Sequence, residues 1–224
     1  MTVYDDYIAI SRYARYLPEE QRRETWGDTV DRYANFFGDK FNLAPLVATE
    51  LRDAIFSKNV MPSMRCLMTA GEALDRDNIC GYNCAYVPVD HVRVFGESLY
   101  IQMNGTGLGY SVERQYISKL PEVADEFFET DTTIVVRDSK LGWATALDEY
   151  VRLLYSGKVP KVDVSRVRPS GAPLKTFGGR ASGPWPYERM LINITNIWRG
   201  AKGRKLTSLE LHDVMCHIGE CVVV

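Results

Sequence analysis

The stretch from Asn78 to Arg114, NICGYNCAYVPVDHVRVFGESLYIQMNGTGLGYSVER, constrains the chain more than any other. Cys84 heads a run of β-formers, Ala85-Tyr86-Val87-Pro88-Val89, bounded by turn residues. Asp90 follows as a candidate helix N-cap. From Val92 onward Phe95, Leu99 and Met103 recur at every fourth position, the spacing of one helix face. That helix runs into Asn104-Gly105-Thr106-Gly107-Leu108-Gly109, and Tyr110 to Glu113 reads as a second strand. The unit is strand, helix, glycine-rich loop, strand, with a thiol at the start of the first strand.

Taken alone, Cys84 fits either a small buried hydrophobe or a reactive thiol. Cys80 and Cys84 with Cys66 could suggest zinc, but no second close pair exists and His91 completes no usual spacing, so no metal set is read here. The glycines also sit in the wrong place for a dinucleotide fingerprint. That fingerprint needs strand, glycine turn, then helix, so that pyrophosphate meets a helix N-terminus. Here the glycines leave a helix and enter a strand. They still let backbone amides approach a ligand.

Upstream, Trp26, Val30, Tyr33 and Phe37 form a core-facing stripe, which predicts a helix over Glu19 to Phe37. Val47, Leu51 and Ile55 predict another over Ala44 to Ser57. Residues 1–58 therefore read as a helical N-terminal layer, and Asn59 to Tyr82 as mostly irregular. Downstream, the acidic stretch at about 115–131 reads as a solvated excursion. Thr132 to Val136 and Val162 to Val167 read as strands. Between them a helix starts near Asp138-Ser139 and carries Trp143, Leu147, Tyr150, Val151 and Leu154. Arg168 to Pro186, RPSGAPLKTFGGRASGPWP, combines Gly/Ser flexibility with Arg168, Lys175 and Arg180. Such a loop suits a polyphosphate, whose charge amides and cations can share; a plain flexible connector is the alternative. Tyr187 to Trp198 reads as a helix, and Thr207-Ser208-Leu209-Glu210 as a capping box opening a last one.

Several of these segments resemble the large subunit of ribonucleotide reductases, closest in wording to the adenosylcobalamin-dependent (class II) branch. They are Asn83-Cys84-Ala85-Tyr86, Met103 to Ser111, Arg15-Tyr16-Leu17-Pro18 with Arg23 to Trp26, and Pro62-Ser63-Met64-Arg65 with Met68 to Gly71. Asp138-Ser139-x2-Gly142-Trp143 and the Arg168 to Pro184 loop complete the set. The resemblance implies an α/β fold: the helical N-terminal layer, then over 59–224 the first half of the family's ten-stranded α/β barrel. An excursion at about 115–167 and an effector loop at 168–186 would interrupt that half.

The resemblance also implies roles. Cys84 would be one of two thiols that reduce the substrate. Ser63, Asn83, Thr106 and Gly107 would contact the ribonucleotide, and Asp90, Arg168 and Lys175 a deoxynucleotide effector. Adenosylcobalamin would be held mostly by a complementary C-terminal half, which would also carry the radical cysteine and the second redox thiol. No Asn-x-Cys-x-Glu motif occurs, and the chain stops within the apolar run Cys221 to Val224, so an N-terminal portion is expected, from a split or interrupted gene or as a truncated sequence. A thioredoxin-like reductant would complete the partners. The alternatives are a non-catalytic nucleotide-binding protein, a class I or III fragment, or a glycyl-radical enzyme, which the Arg-Pro-Ser-Gly loop argues against.

Composition narrows the partners. A net charge of −2 gives no reason to expect a nucleic-acid polymer. No apolar run approaches the roughly 20 residues of a membrane span. Five cysteines without a secretory signal point to the reducing cytoplasm.

Overall fold

The structure, a computed structural model, describes residues 2–174 and 179–223. It divides into two compact units, Met1–Asn83 and Cys84–Val224.

The first unit is helical. Helix α1 (Val3–Ile8) continues through a π-type turn into the short antiparallel strands β1 (Tyr16–Leu17) and β2 (Arg22–Arg23). Helices α2 (Trp26–Phe41), α3 (Pro45–Phe56), α4 (Met64–Thr69) and α5 (Glu72–Arg76) follow, and a single 3-10 turn ends the unit. The helix expected from Glu19 begins only at Trp26. Residues before it pair as β1 and β2, and Thr25 with Asp28 forms a capping box that fixes the start. Trp26, Val30, Ile55 and Leu67 make the core, and the Trp26 indole donates to the Phe56 carbonyl at 3.0 Å. The segment expected to be irregular is largely short helices. It folds against the rest of this unit because Leu67 joins that core, while Ala70, Ala73, Leu74 and Cys80 pack under Phe36 and Phe37.

The second unit holds two parallel β-α-β crossovers. Strand β3 (Cys84–Pro88) leads through α6 (Val94–Met103) to β4 (Gly107–Ser111). A one-turn helix, α7 (Arg114–Ile117), precedes β5 (Phe128–Val135), α8 (Lys140–Tyr155) and β6 (Lys158–Asp163). Helices α9 (Trp185–Gly200) and α10 (Ser208–Val223) complete it. Among the described residues the strands pair in twos. The strand expected at Val162 to Val167 lies four residues earlier. Asp163 accepts from the Ser165 amide at 2.9 Å, which turns the chain just where the apolar alternation would have continued it. Ser139 caps α8 through the Gly142 amide, and Thr207 with Glu210 forms the expected capping box.

Helix α6 packs on α8 and α10. Phe95 meets Trp198 edge-on at 5.7 Å, and the Tyr187 hydroxyl donates to the Trp143 carbonyl at 2.9 Å. The stripe on α8 is buried, as its spacing requires. This core fixes one face of the β3–β4 pair and leaves the other open. No described helix is long and apolar enough to cross a membrane.

Candidate functional site

Because strand side chains alternate, β3 and β4 present two unlike faces. Ala85 and Val87 with Leu108 and Tyr110 turn toward the buried Val89 and the helical core. Cys84 and Tyr86 stand on the other face, paired across the ladder with Gly107 and Gly109, and all four are exposed. Cys84 thus projects from the first residue of a strand, beside a strip of backbone bare of side chains. At Gly109 an added Cβ would meet nothing nearer than the Ala85 carbonyl at 3.8 Å. Packing therefore does not require glycine there, and its lack of a side chain leaves the surface beside Tyr86 open.

The loop behind this strip is held from below. Asn104 is buried, accepts from Lys140 at 2.8 Å and donates to the Tyr100 carbonyl at 2.9 Å. Gly105 then takes φ +79°, a left-handed turn that suits glycine. Thr106 is buried, so its side chain stands under the turn, while Gly105 and Gly107 on either side of it are exposed. On the core side the Tyr110 hydroxyl lies 3.6 Å from the Cys216 sulfur, and burial first, that thiol second, push its pKa up to about 12.

Asp90 does not cap α6, which starts four residues later with no side-chain cap. The turn at His91 intervenes, and the Val94 amide donates to the His91 carbonyl. Asp90 instead accepts from His91 Nδ1 at 2.9 Å and from Lys119 Nζ at 2.9 Å. Those two bonds, His91's first, hold its carboxyl below the usual carboxylate range.

Within the 168–186 loop, the described residues on either side of 175–178 pair with one another. Gly171 and Ala181 exchange bonds across it with Ala181 and Ala172, Leu174 donates to Gly179, and Pro173 bridges Arg180. Arg168 stands at its base, both Asp138 carboxylate oxygens about its Nε at 2.9 and 3.0 Å. Lys175 lies outside the described residues. No contact among the described residues joins Asp90 to Arg168; each has its own counter-ion. Ser63 and Asn83 belong to the first unit, both exposed, and the Ser63 hydroxyl makes no capping bond to α4. Among the described residues no three His, Cys, Asp or Glu side chains are placed to share a metal ion.

The site also contains residues that the motifs did not single out as ligands. His91 and Lys119 flank Asp90, Asp138 neutralises Arg168, and Lys140 anchors the glycine loop. His91 adjoins the residue it holds, Asp90. The other partners are 29 to 36 positions away, beyond any local spacing rule.

Comparison with known proteins bears on the chain as a whole. A family model for the insertion domain of B12-dependent ribonucleotide reductase matches residues 114–198. An adenosylcobalamin-dependent ribonucleoside-triphosphate reductase of Lactobacillus delbrueckii subsp. bulgaricus is 27% identical over 285 aligned positions, covering 94% of this chain and 38% of its own. The enzyme of the same description from Levilactobacillus brevis is 28% identical with the same coverage. A crystal structure of a B12-dependent (class II) ribonucleotide reductase superposes with a TM-score of 0.84 at 24% identity, over 99% of this chain and 40% of that one. The chain therefore spans about 38% of the length of these curated relatives. Over nearly all its own length the chain is similar in sequence to adenosylcobalamin-dependent ribonucleoside-triphosphate reductases and in fold to a class II ribonucleotide reductase.

Proposed function

We propose that this chain is the part of a ribonucleotide reductase that supplies one thiol of the reducing pair, the face on which the ribonucleotide lies, and the site of a deoxynucleotide effector. The observation that carries the reading is the exposed Cys84 at the head of β3, directly opposite Gly107. In the reaction a thiyl radical on the remaining length of the enzyme takes the ribose 3′ hydrogen and later returns it. Cys84 and a second thiol give up two electrons and two protons as the 2′ hydroxyl leaves as water, and they end as a disulfide. A thioredoxin-like dithiol in a reducing cytoplasm restores the pair by exchange.

The relatives are named for adenosylcobalamin. Among the described residues of the second unit nothing fits a corrin: the open strip is two strands wide, and the cleft between α9 and α10 is small, lined by Trp185, Pro186, Met190 and Cys221 together with Arg189 and Glu220. Its seat belongs to the remaining length, and what these residues do is hold the substrate and carry electrons. Ser63, Asn83, Thr106 and Gly107 are assigned to substrate; Thr106, being buried, acts by shaping the loop.

The strip gives a direct test. Valine at Gly109 has room at Cβ and suits a strand, yet its branches would cover the backbone beside Tyr86. Gly109→Val should leave the thermal midpoint near that of the parent and weaken ribonucleoside triphosphate binding roughly tenfold, about 1.4 kcal/mol. Unchanged affinity by calorimetry would remove the substrate face.

Effector binding should depend on Arg168 and Lys175. A hydrogen bond to a charged phosphate contributes about 1.5–3 kcal/mol, so replacing both by Ala should weaken deoxynucleoside triphosphate binding at least ~tenfold. Asp138→Asn should do the opposite to Arg168, releasing it from its carboxylate. If the double variant binds deoxynucleotides like the parent, the loop is a connector and the effector assignment fails.

A further inference from the structure

His91 is held by both of its ring nitrogens. Nδ1 lies 2.9 Å from Asp90 Oδ1, and Nε2 lies 3.1 Å from Glu97 Oε2. A neutral imidazole has one N–H and one lone pair, whereas an ionised carboxylate only accepts. Both contacts can be hydrogen bonds together only when the ring carries two protons. The geometry thus describes an imidazolium bridging two carboxylates. Beyond it the chain of charge continues at each end. Lys119 binds the other Asp90 oxygen at 2.9 Å, and Arg93 lies 3.3 Å from the other Glu97 oxygen. Lys119 also lies over the Tyr116 ring, 5.8 Å from its centroid. The line Arg93, Glu97, His91, Asp90, Lys119 crosses from α6, over the turn after β3, to the segment after α7.

We propose that His91 is a positioning residue for Asp90, and that its second proton fixes the Asp90 carboxylate in the orientation that receives the deoxynucleotide effector. This rests on the effector reading of Asp90 above. His91 is the one member of the line that titrates near neutral pH. The Asp90 bond first, and the Glu97 bond with it, hold its pKa above the ordinary histidine value against the opposing effect of partial burial. The sign follows. A raised folded-state value means that the clamp is complete below the ordinary value of about 6.5. It is lost as pH rises through the raised value. Asp90 then keeps Lys119 alone, and the two carboxylates face each other across a neutral ring. Nucleotide affinity should fall over that interval.

The test uses the full 224-residue chain with a deoxynucleoside triphosphate, by calorimetry from about pH 6 to about pH 9, either side of the ordinary value. The parent should lose about three- to tenfold in affinity across that range. His91→Arg, whose guanidinium stays charged and can donate to both carboxylates, should bind at both ends of the range and keep only the change due to the nucleotide's own phosphate. His91→Gln should bind weakly throughout. In parallel, the His91 ring resonance should titrate above the ordinary value in the parent and move down in Glu97→Gln.

Equal pH dependence in the parent and His91→Arg would overturn the inference. So would a ring midpoint that Glu97→Gln leaves in place, whether or not nucleotide binds. A raised, Glu97-dependent midpoint with no nucleotide binding at any pH would instead overturn the effector role of Asp90, and the inference with it. The ring titration thus separates the two failures.

Discussion

Replacing Cys84 by serine should abolish multiple turnover when the chain is assayed with the remaining length of the reductase, adenosylcobalamin and a thioredoxin-like reductant. Serine keeps the size of the side chain but can neither form a disulfide nor give up electrons as a thiol does. The expected loss is therefore of the whole reductive step, at least ~10³-fold in rate. The environments of the five cysteines explain why only this one should show it. Cys80 is 1% exposed, and its thiol donates to the Asp77 carbonyl at 3.0 Å. Cys221 is buried under α9, and burial, with Glu220 adding to it, raises its thiol to about 12, far from the thiolate that exchange requires. Cys66 is half-buried and leans on the Gly81 carbonyl at 3.8 Å. Cys216 is exposed, so exposure alone cannot be the criterion. It lies between Tyr110 and His212 on the core side of β4, whereas Cys84 is on the glycine side. Among the described residues no disulfide joins any of the five. Cys216→Ser is thus the informative control. If it abolishes turnover while Cys84→Ser retains it, the reducing thiol lies on α10 and the central assignment is wrong.

The elements that the pattern specified well are those whose residues answer to one partner surface. The stripe of α8 and the capping box at Thr207 depend on contacts three or four positions apart, and such spacings can be read directly. Thr25 with Asp28 marks the true start of α2, a pairing that the sequence reading passes over; the apolar stripe alone carried the helix back to Glu19. Asp90 went wrong for a related reason. An aspartate before an apolar run has the form of a cap, but a cap needs the third amide onward to face it, and the His91 turn moves those amides away. Strand β6 slid by four residues because alternation continues past the turn at Asp163, where pairing with β5 has already ended. The thiol and its glycine strip were legible because they lie within one β-α-β unit. Their counter-charges were not, since Lys119, Asp138 and Lys140 come from elements brought near only by the fold of the second unit.

The largest expected effect on stability lies in the first unit, at Glu24. Its side chain is 4% exposed, and its carboxylate accepts from Arg32 at 2.7 and 2.9 Å, from the Arg15 amide at 3.1 Å and from the Thr29 hydroxyl at 3.1 Å. Arg32 goes on to donate to the Ala70 and Tyr13 carbonyls, and the Arg15 guanidinium donates to the Met68 carbonyl. One carboxylate therefore ties the N-terminal hairpin, α2 and the end of α4 together. Burial alone would raise its pKa; Arg32, the Arg15 amide and Thr29 outweigh burial, and the net shift is downward. A lowered folded-state value means that the stabilisation is present above the ordinary glutamate value of about 4.3 and is lost as pH falls through the folded one. Glu24→Ala removes the carboxylate but leaves Arg32 mostly buried without its counter-charge. That is the costly way to break such a pair, about 3–5 kcal/mol. Glu24→Gln keeps an acceptor and should cost less. The measurement is amide hydrogen exchange at neutral pH. Protection in α2 and α4 should fall by roughly 10²–10³-fold in Glu24→Ala, while α6 and α8 in the second unit keep the exchange rates of the parent. At a pH below the folded-state value, parent and variant should approach each other. Full protection of α2 in Glu24→Ala would mean that the network decorates this unit and does not hold it.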